Sequence, residues 1–409
     1  MQRQIFSGRK NLAQLSNKYD LVLIVEYFRS ATAYLSVIKA LSAEFSIGIY
    51  QVPLNFSDAD KHKKAQSEFL HSCELLGAQI IMAGPIEASV LLVPQRPFSQ
   101  SIIADIQSKI DAKSTVVLLG FAYPGIKKQD EVFKHFEFKK AYAIDNQFIQ
   151  FLIEKRNASA IYDKLNIVEV GLPFRKYSIC GGFTADYILA MPTQFSFPYE
   201  YDKWLFLENV LHLFGDIGKD NIIVHKPHNG SEHDQFSSTR MRVLLGALRY
   251  IPKYEYLLKA IVPYIPIKKI RRFIEKLYTA HLYEKVLTRT ITMDEAGGDS
   301  YLAMEAYLPG VNKGVIGGTS NTMWGTLYYE LKFFNCVDIL NQKRDGKDKL
   351  YGNKNPDQYL DLNLQYFMVP YCHGVKEFDE TLWSIPSDGS RSGDLIKELR
   401  CEILEVRKQ

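Results

Sequence analysis

The sequence predicts an α/β protein of two facing domains, each a parallel sheet covered by helices on both faces. Three observations lead there. Short, nearly continuous apolar runs alternate with segments of helical period over the first 170 residues or so. The same alternation restarts after Gly181-Gly182. The chain has 409 residues, too many for one hydrophobic core.

The elements follow in order. "YDLVLIVEY" (19–27) has the length and apolar continuity of a buried strand, and "SATAYLSVIKALSAEF" (30–45) repeats apolar residues at Tyr34, Val37, Ile38 and Leu41, a helical spacing. "SIGIYQV" is a second strand. "KKAQSEFLHSCELLG" is a helix stopped by Gly77. "AQIIMAG", "SVLLVP" and "STVVLLGF" are further strands, with "SQSIIADIQSKI" helical between the last two. "KKAYAID" (139–145) is a strand and "NQFIQFLIEKRNA" a helix. The stretch 166–183, with its Gly-Leu-Pro turn, reads as the junction. This divides the chain into an N-terminal α/β domain over 1–180 and a C-terminal one over 181–375, followed by a helical tail over 376–409. In the second domain "DYILAMPTQF" and "NIIVHKPH" are strands flanking the helix "YDKWLFLENVLHLFG", and "NKGVIGGTSNTMWGTLYYELKFF" reads as strand, glycine-rich turn, helix. Each half is Rossmann-like, so a ligand cleft is expected at the carboxyl ends of the strands.

Residues 251–289 differ from the rest, with nine Lys/Arg against three Glu. A helix there would gather Ile270, Phe273, Ile274, Leu277, Tyr278 and Leu282 on one face. Two readings stay open: a basic helical insertion near 251–290 packed on its own domain, and a membrane-surface helix over 267–289 attracted to anionic lipid.

Composition narrows the class. The net charge of +4 does not suggest a general nucleic-acid binder. Five scattered cysteines without a CxxC pair argue against a disulfide framework and a cysteine zinc site. No apolar run has the length of a signal peptide or a membrane span. The expected location is cytoplasmic, with attachment to the inner face of the cytoplasmic membrane as the peripheral option.

Candidate chemistry lies at strand ends. In "NIIVHKPHNG" (221–230), His225, Lys226 and His228 follow a β-branched run. A zinc site needs about three protein ligands, and this pair has no evident third. A phosphate site fits better: Lys226 supplies a fixed charge and an imidazole N–H can hold a phosphate oxygen. "GVIGGTSNTMWG" (314–325) has the same logic, since Gly317 and Gly318 permit close backbone approach while Thr319, Ser320 and Asn321 open a helix whose free N–H groups favour an anion. It is neither a Walker loop nor a GxGxxG turn. Glu305 could accept hydrogen bonds from a ribose. Glu26 ends the first strand, with Arg29 nearby to hold a sugar carboxylate. "DAD" at 58–60 follows no apolar strand and is expected to be an exposed loop. No metal and no cofactor is expected.

The order of these motifs resembles bacterial sialyltransferases and polysialyltransferases of the GT-B fold, and related Kdo-type transferases, which use CMP-activated sugars. The family's acidic motif falls on Asp145-Asn146-Gln147, its histidine-proline motif on His228-Asn229 and its serine pair on Ser320-Asn321. Asn229 stands in place of the proline, Asn321 in place of the second serine, and Asn146-Gln147 in place of the acidic-glycine pair. "IVEVGLPF" and "YILAMPTQF" are also similar to the domain junction of CDP-alditol phosphotransferases. The resemblance implies a GT-B architecture with an acceptor-side first domain and a nucleotide-sugar-binding second domain. It implies a glycosyltransferase moving an acidic sugar from CMP onto a glycan or glycolipid of the capsule or lipopolysaccharide. His228, Lys226, Gly318, Thr319, Ser320, Asn321 and Glu305 would hold the nucleotide, Asp145 or Glu26 would be the base, and Arg29 would bind the acceptor or the sugar carboxylate. A CDP-alditol phosphotransferase and a noncatalytic nucleotide- or sugar-binding protein of the same fold are the alternatives.

Overall fold

The computed structural model describes residues 17–26, 31–53, 59–81, 84–95, 98–119, 132–143, 159–171, 178–191, 200–227, 236, 238–299, 302–317, 326, 329, 331–336 and 394–409. These residues form an α/β protein with two parallel sheets.

The first sheet comprises β1 (Lys18–Val25), β2 (Ile47–Gln51), β3 (Gln79–Ile81), β4 (Ile86–Pro94), β5 (Ile110–Leu119), β6 (Lys140–Ala143) and β7 (Ile167–Glu169), in the spatial order β3-β2-β1-β4-β5-β6-β7. All its pairings are parallel. The order reverses between β1 and β4, the switch point at which ligands enter such sheets. Alternation along β1 sends Leu21, Leu23 and Val25 to one face and Val22 and Ile24 to the other. The first face is covered by α1 (Thr32–Leu41) and α2 (Ala59–Leu75), the second by α3 (Gln100–Lys109). Two buried faces explain why β1 reads as a continuous apolar run. Gly77 follows α2 at φ 102°, a left-handed geometry that glycine adopts without a Cβ penalty. Ala59 and Asp60 are the first residues of α2, which corrects the expected loop at 58–60. The predicted helix 146–158 lies outside the described residues; a short helix, α4 (Ser159–Tyr162), follows it.

The second sheet comprises β8 (Ala185–Ala190), β9 (Ile223–Lys226), β10 (Ile291–Thr292), β11 (Val311–Gly317) and β12 (Lys332–Asn335), in the order β10-β9-β8-β11-β12. This is the same reversal, now between β8 and β11. Two strands differ from expectation. "KFFN" is an edge strand paired with β11 where a helix end was predicted, and the two-residue β10 was not anticipated. One face of this sheet packs on α5 (Glu200–Asp216) through Phe206, Leu213 and Phe214.

The basic stretch is the crossover from β9 to β10, built of α6 (Thr239–Leu248), α7 (Tyr254–Ile261) and α8 (Lys268–Leu287). From Glu275 onward α8 is mostly buried, with Leu277, Tyr278, Tyr283 and Val286 in the core beside α5. Trp204 and Tyr278 meet edge-on at 5.1 Å. The apolar face expected for α8 is therefore divided: Leu277, Tyr278 and Leu282 are buried, whereas Ile270 is exposed. No described helix is long and apolar enough to cross a membrane.

The inner face of the second sheet (Ile188, Val224, Val315, Phe333) shares one apolar cluster with the α1 side of the first sheet, through Leu302, Met304, Tyr307 and Leu308. The final helix, α9 (Leu395–Arg407), returns to the first sheet and joins that cluster with Leu395, Leu399, Ile403 and Val406.

Candidate functional site

The carboxyl ends of the second sheet form a row. Gly317 of β11 lies opposite Ala190 of β8, and Ala190 opposite Lys226 of β9. The approach is close at this position: a Cβ on Gly317 would stand 3.0 Å from the Ala190 carbonyl oxygen, so a side chain there would push the neighbouring strand by a few tenths of an ångström. The row thus sets one cation, Lys226, one strand away from the β8/β11 switch point.

Strand alternation separates the two residues that adjoin in sequence. His225 shares its face with Ile223 and turns to the helical side. There its Nε2 is 3.1 Å from the Tyr283 hydroxyl, and both side chains are buried. Burial pushes the Tyr283 hydroxyl up to about 12, against a smaller opposing effect of Arg242, so it stays protonated and able to donate. His225 is therefore a hydrogen-bonded core histidine. Lys226 turns with Val224 to the inner face, only 4% exposed, with Nζ 5.6 Å from the centre of the Tyr307 ring. A cation at that range from an aromatic face is attracted by the ring quadrupole.

Tyr307 is held in turn. Its hydroxyl accepts a hydrogen bond from the Asp299 N–H at 2.9 Å and donates to the Asp299 carbonyl. Its ring packs on Phe183 at 4.9 Å. Cys180 lies in the same neighbourhood: burial first and then the Asp299 carboxylate push its thiol up to about 12, despite Tyr307, Lys226 and Lys39 acting the other way. It is a neutral thiol rather than a nucleophile.

The first sheet contributes Glu26, which follows β1 and is 4% exposed. Gln95, the residue after β4 on the other side of the switch point, donates from Nε2 to the Tyr162 hydroxyl at 2.8 Å. Beyond Glu26 the chain enters α1 at Thr32, whose Oγ1 accepts the Ala303 N–H at 3.3 Å. One short segment, 303–307, therefore touches the first residue of α1 at Ala303 and meets Lys226 at Tyr307. Glu305 sits between these contacts, half-buried on a 3₁₀ turn over Met304–Ala306.

Of the residues singled out from sequence, Lys226 and Glu305 share the 303–307 neighbourhood, and Glu26 lies buried just after β1. Asp145, Arg29, His228, Gly318, Thr319, Ser320 and Asn321 lie outside the described residues. Tyr307, Asp299 and Cys180 were not singled out. Only Tyr307 had a usable signal, two positions after Glu305 in "MEAYLPG". Among the described residues no three His, Cys, Asp or Glu side chains gather as a metal-ligating group.

Two parallel sheets, each with its strand order reversed at a switch point, define an α/β protein. No protein family and no curated protein matches the chain by sequence. Solved structures with a similar chain path include the wall teichoic acid polymerase TagF, with TM-score 0.44 and 10% identity over 96% of this chain and 90% of that one. The S. aureus MnaA–UDP co-structure gives TM-score 0.40 and 10% identity over 87% and 99%. Methanocaldococcus jannaschii UDP-GlcNAc 2-epimerase in complex with UDP-GlcNAc and UDP gives 0.37 and 8% over 78% and 83%. At such scores the likeness is one of chain path, and the functional reading rests on this chain's own residues.

Proposed function

We propose that the chain is a glycosyltransferase that moves an acidic sugar, sialic acid-like or Kdo-like, from a CMP-activated donor onto a glycan or glycolipid of a bacterial surface. The observation that carries this reading is the 303–307 segment, which meets a buried cation beside one switch point at Tyr307 and, at Ala303, the start of the helix that follows the buried Glu26.

The chemistry follows from that pairing. When a CMP-sugar is cleaved, negative charge grows on the departing phosphate. Lys226, buried and in place beforehand, stabilises that charge more strongly than a solvated cation would. His228 and the Gly318–Asn321 turn supply further donors on this reading, and Glu305 accepts from the ribose. A carboxylate on the first sheet, Glu26 or Asp145, removes the acceptor hydroxyl's proton, and Arg29 holds a carboxylate of the sugar. No metal is needed on this reading, so chelation should leave turnover intact; loss restored by manganese or magnesium would overturn that part.

Thermal stabilisation by CMP, UMP and GMP tests the donor class, because a ligand of the native state raises its apparent stability. CMP should stabilise the wild-type chain and lose most of that effect in Lys226→Met. A purine preference would sink the CMP reading. Transfer of a phosphate-bearing product would favour a CDP-alditol phosphotransferase, and binding without turnover a noncatalytic protein. His228→Ala should cut turnover by about a hundred- to thousandfold. Of Glu26→Gln and Asp145→Asn, the one that removes the base should lower the rate by about 10²–10⁴-fold with CMP affinity unchanged.

A further inference from the structure

Exposed large apolar side chains are not spread evenly over the described surface. Eight of the thirteen fall between Tyr250 and Ile270, where scattered single residues would be ordinary. Tyr250 is 90% exposed, Tyr264 85%, Tyr256 76% and Ile267 56%. These residues are not a misplaced core, for α7 already turns Leu258 inward and the following 3₁₀ turn buries Val262. Tyr256, Leu257 and Ile261 form a second, outward apolar surface.

Residues 250–272 hold six Lys/Arg and a single acid, Glu255. That acid is engaged on the protein side, 2.5 Å from Lys285 and 3.2 Å from His281. Lys259 is paired with Glu208 at 2.6 Å and Arg271 with Glu275 at 3.0 Å. Lys253, Lys268, Lys269 and Arg272 are exposed and have no acidic partner among the described residues.

We propose that residues 250–272 are a docking surface for an anionic lipid bilayer. Tyrosines with an apolar ring and a polar tip suit the headgroup level, isoleucines and leucines suit the acyl boundary, and unpaired cations suit anionic headgroups. A second copy of the chain fits less well, since self-pairing would bring two sets of uncompensated cations together. The segment begins upstream of residues 267–289, where the sequence left a membrane-surface helix open, because the later turns of α8 are committed to the core. The inference does not depend on which donor the cleft accepts.

Vesicle flotation tests it without any activity readout. The wild-type chain should float with phosphatidylcholine vesicles containing phosphatidylglycerol, less so in high salt, and not with phosphatidylcholine alone. Lys268→Gln/Lys269→Gln/Arg272→Gln should weaken binding by about a hundredfold, and Tyr250→Ser/Tyr264→Ser/Ile267→Ser should abolish it, with the melting temperature unchanged in both. Failure to float, or equal flotation of the charge variant, would overturn the proposal. So would a concentration-dependent dimer that the apolar variant dissolves, which would assign the patch to a second copy. Loss of melting temperature without loss of lipid binding would assign it to cover by another part of the chain.

Discussion

The α9 helix and the α6–α8 crossover are both charged, amphipathic and helical, yet the structure uses them in opposite ways. Both arginines of α9 meet a carboxylate: Arg400 pairs with Glu44 at 2.6 Å and Arg407 with Asp20 at 2.7 Å. Of its three acids, Glu402 is fully buried between Lys139 at 2.7 Å and Lys140 at 2.8 Å, with Ser114 also donating at 2.8 Å. In 250–272 the cations outnumber their partners and the apolar groups face outward. Amphipathicity says only that a helix has two faces. Whether the charged face meets partners decides between a clamp and an open surface.

Substitutions can break this contrast at several strengths. The largest expected effect is Leu399→Ala on the buried side of α9, which should cost about 2–5 kcal/mol in denaturant unfolding through lost burial and a residual cavity. Glu402→Ala leaves two lysines without their shared partner. Lys139 is 43% exposed and can turn to water, so the cost should fall near the lower end for a broken buried pair, about 3 kcal/mol.

The pH response of the same residue is a finer probe. Burial alone would raise the Glu402 carboxyl, but hydrogen bonds from Lys139 and Ser114 and the Lys140 ammonium beside it outweigh that and hold the group below the usual carboxylate range. With the folded pKa below the unfolded one, its contribution is complete above the ordinary glutamate value and is lost as pH falls through the depressed value. An acid titration of melting temperature should therefore be steeper for the wild type than for Glu402→Gln; identical slopes would deny the clamp its charge. Arg407→Gln should cost less than about 1 kcal/mol, as exposed pairs do. Tyr256→Ala on the open side of the crossover should change stability by no more than about 0.5 kcal/mol.

Particular residues show what the sequence could reveal. The strands β1, β4 and β5 were readable because their later halves, 21–25, 90–93 and 116–119, are buried on both faces and read as continuous apolar runs. The four-residue β12 was not, since its "FF" continues a pattern equally suited to a helix and its strand identity comes from pairing with β11. Lys226 was legible as a strand-end cation. That His225 points away from it follows from the two-residue period of a strand, but the helical partner that makes it a core residue, Tyr283, lies 58 positions on. The clamp was the least legible feature: Glu402 and Ser114 are 288 positions apart, and neither local period nor composition links them.

The route of α9 has a consequence during synthesis. The first sheet is traced by residue 169, but part of the cover over its α1 face is supplied by 395–407. A ribosome adding about 5–20 residues per second needs on the order of ten to fifty seconds to make the intervening chain. Through that interval the nascent first sheet keeps uncovered the apolar ground on which Leu399 and Ile403 will settle, together with the Lys139–Lys140 pair awaiting its carboxylate. Chaperone demand during translation should therefore centre on the half of the protein that is made first.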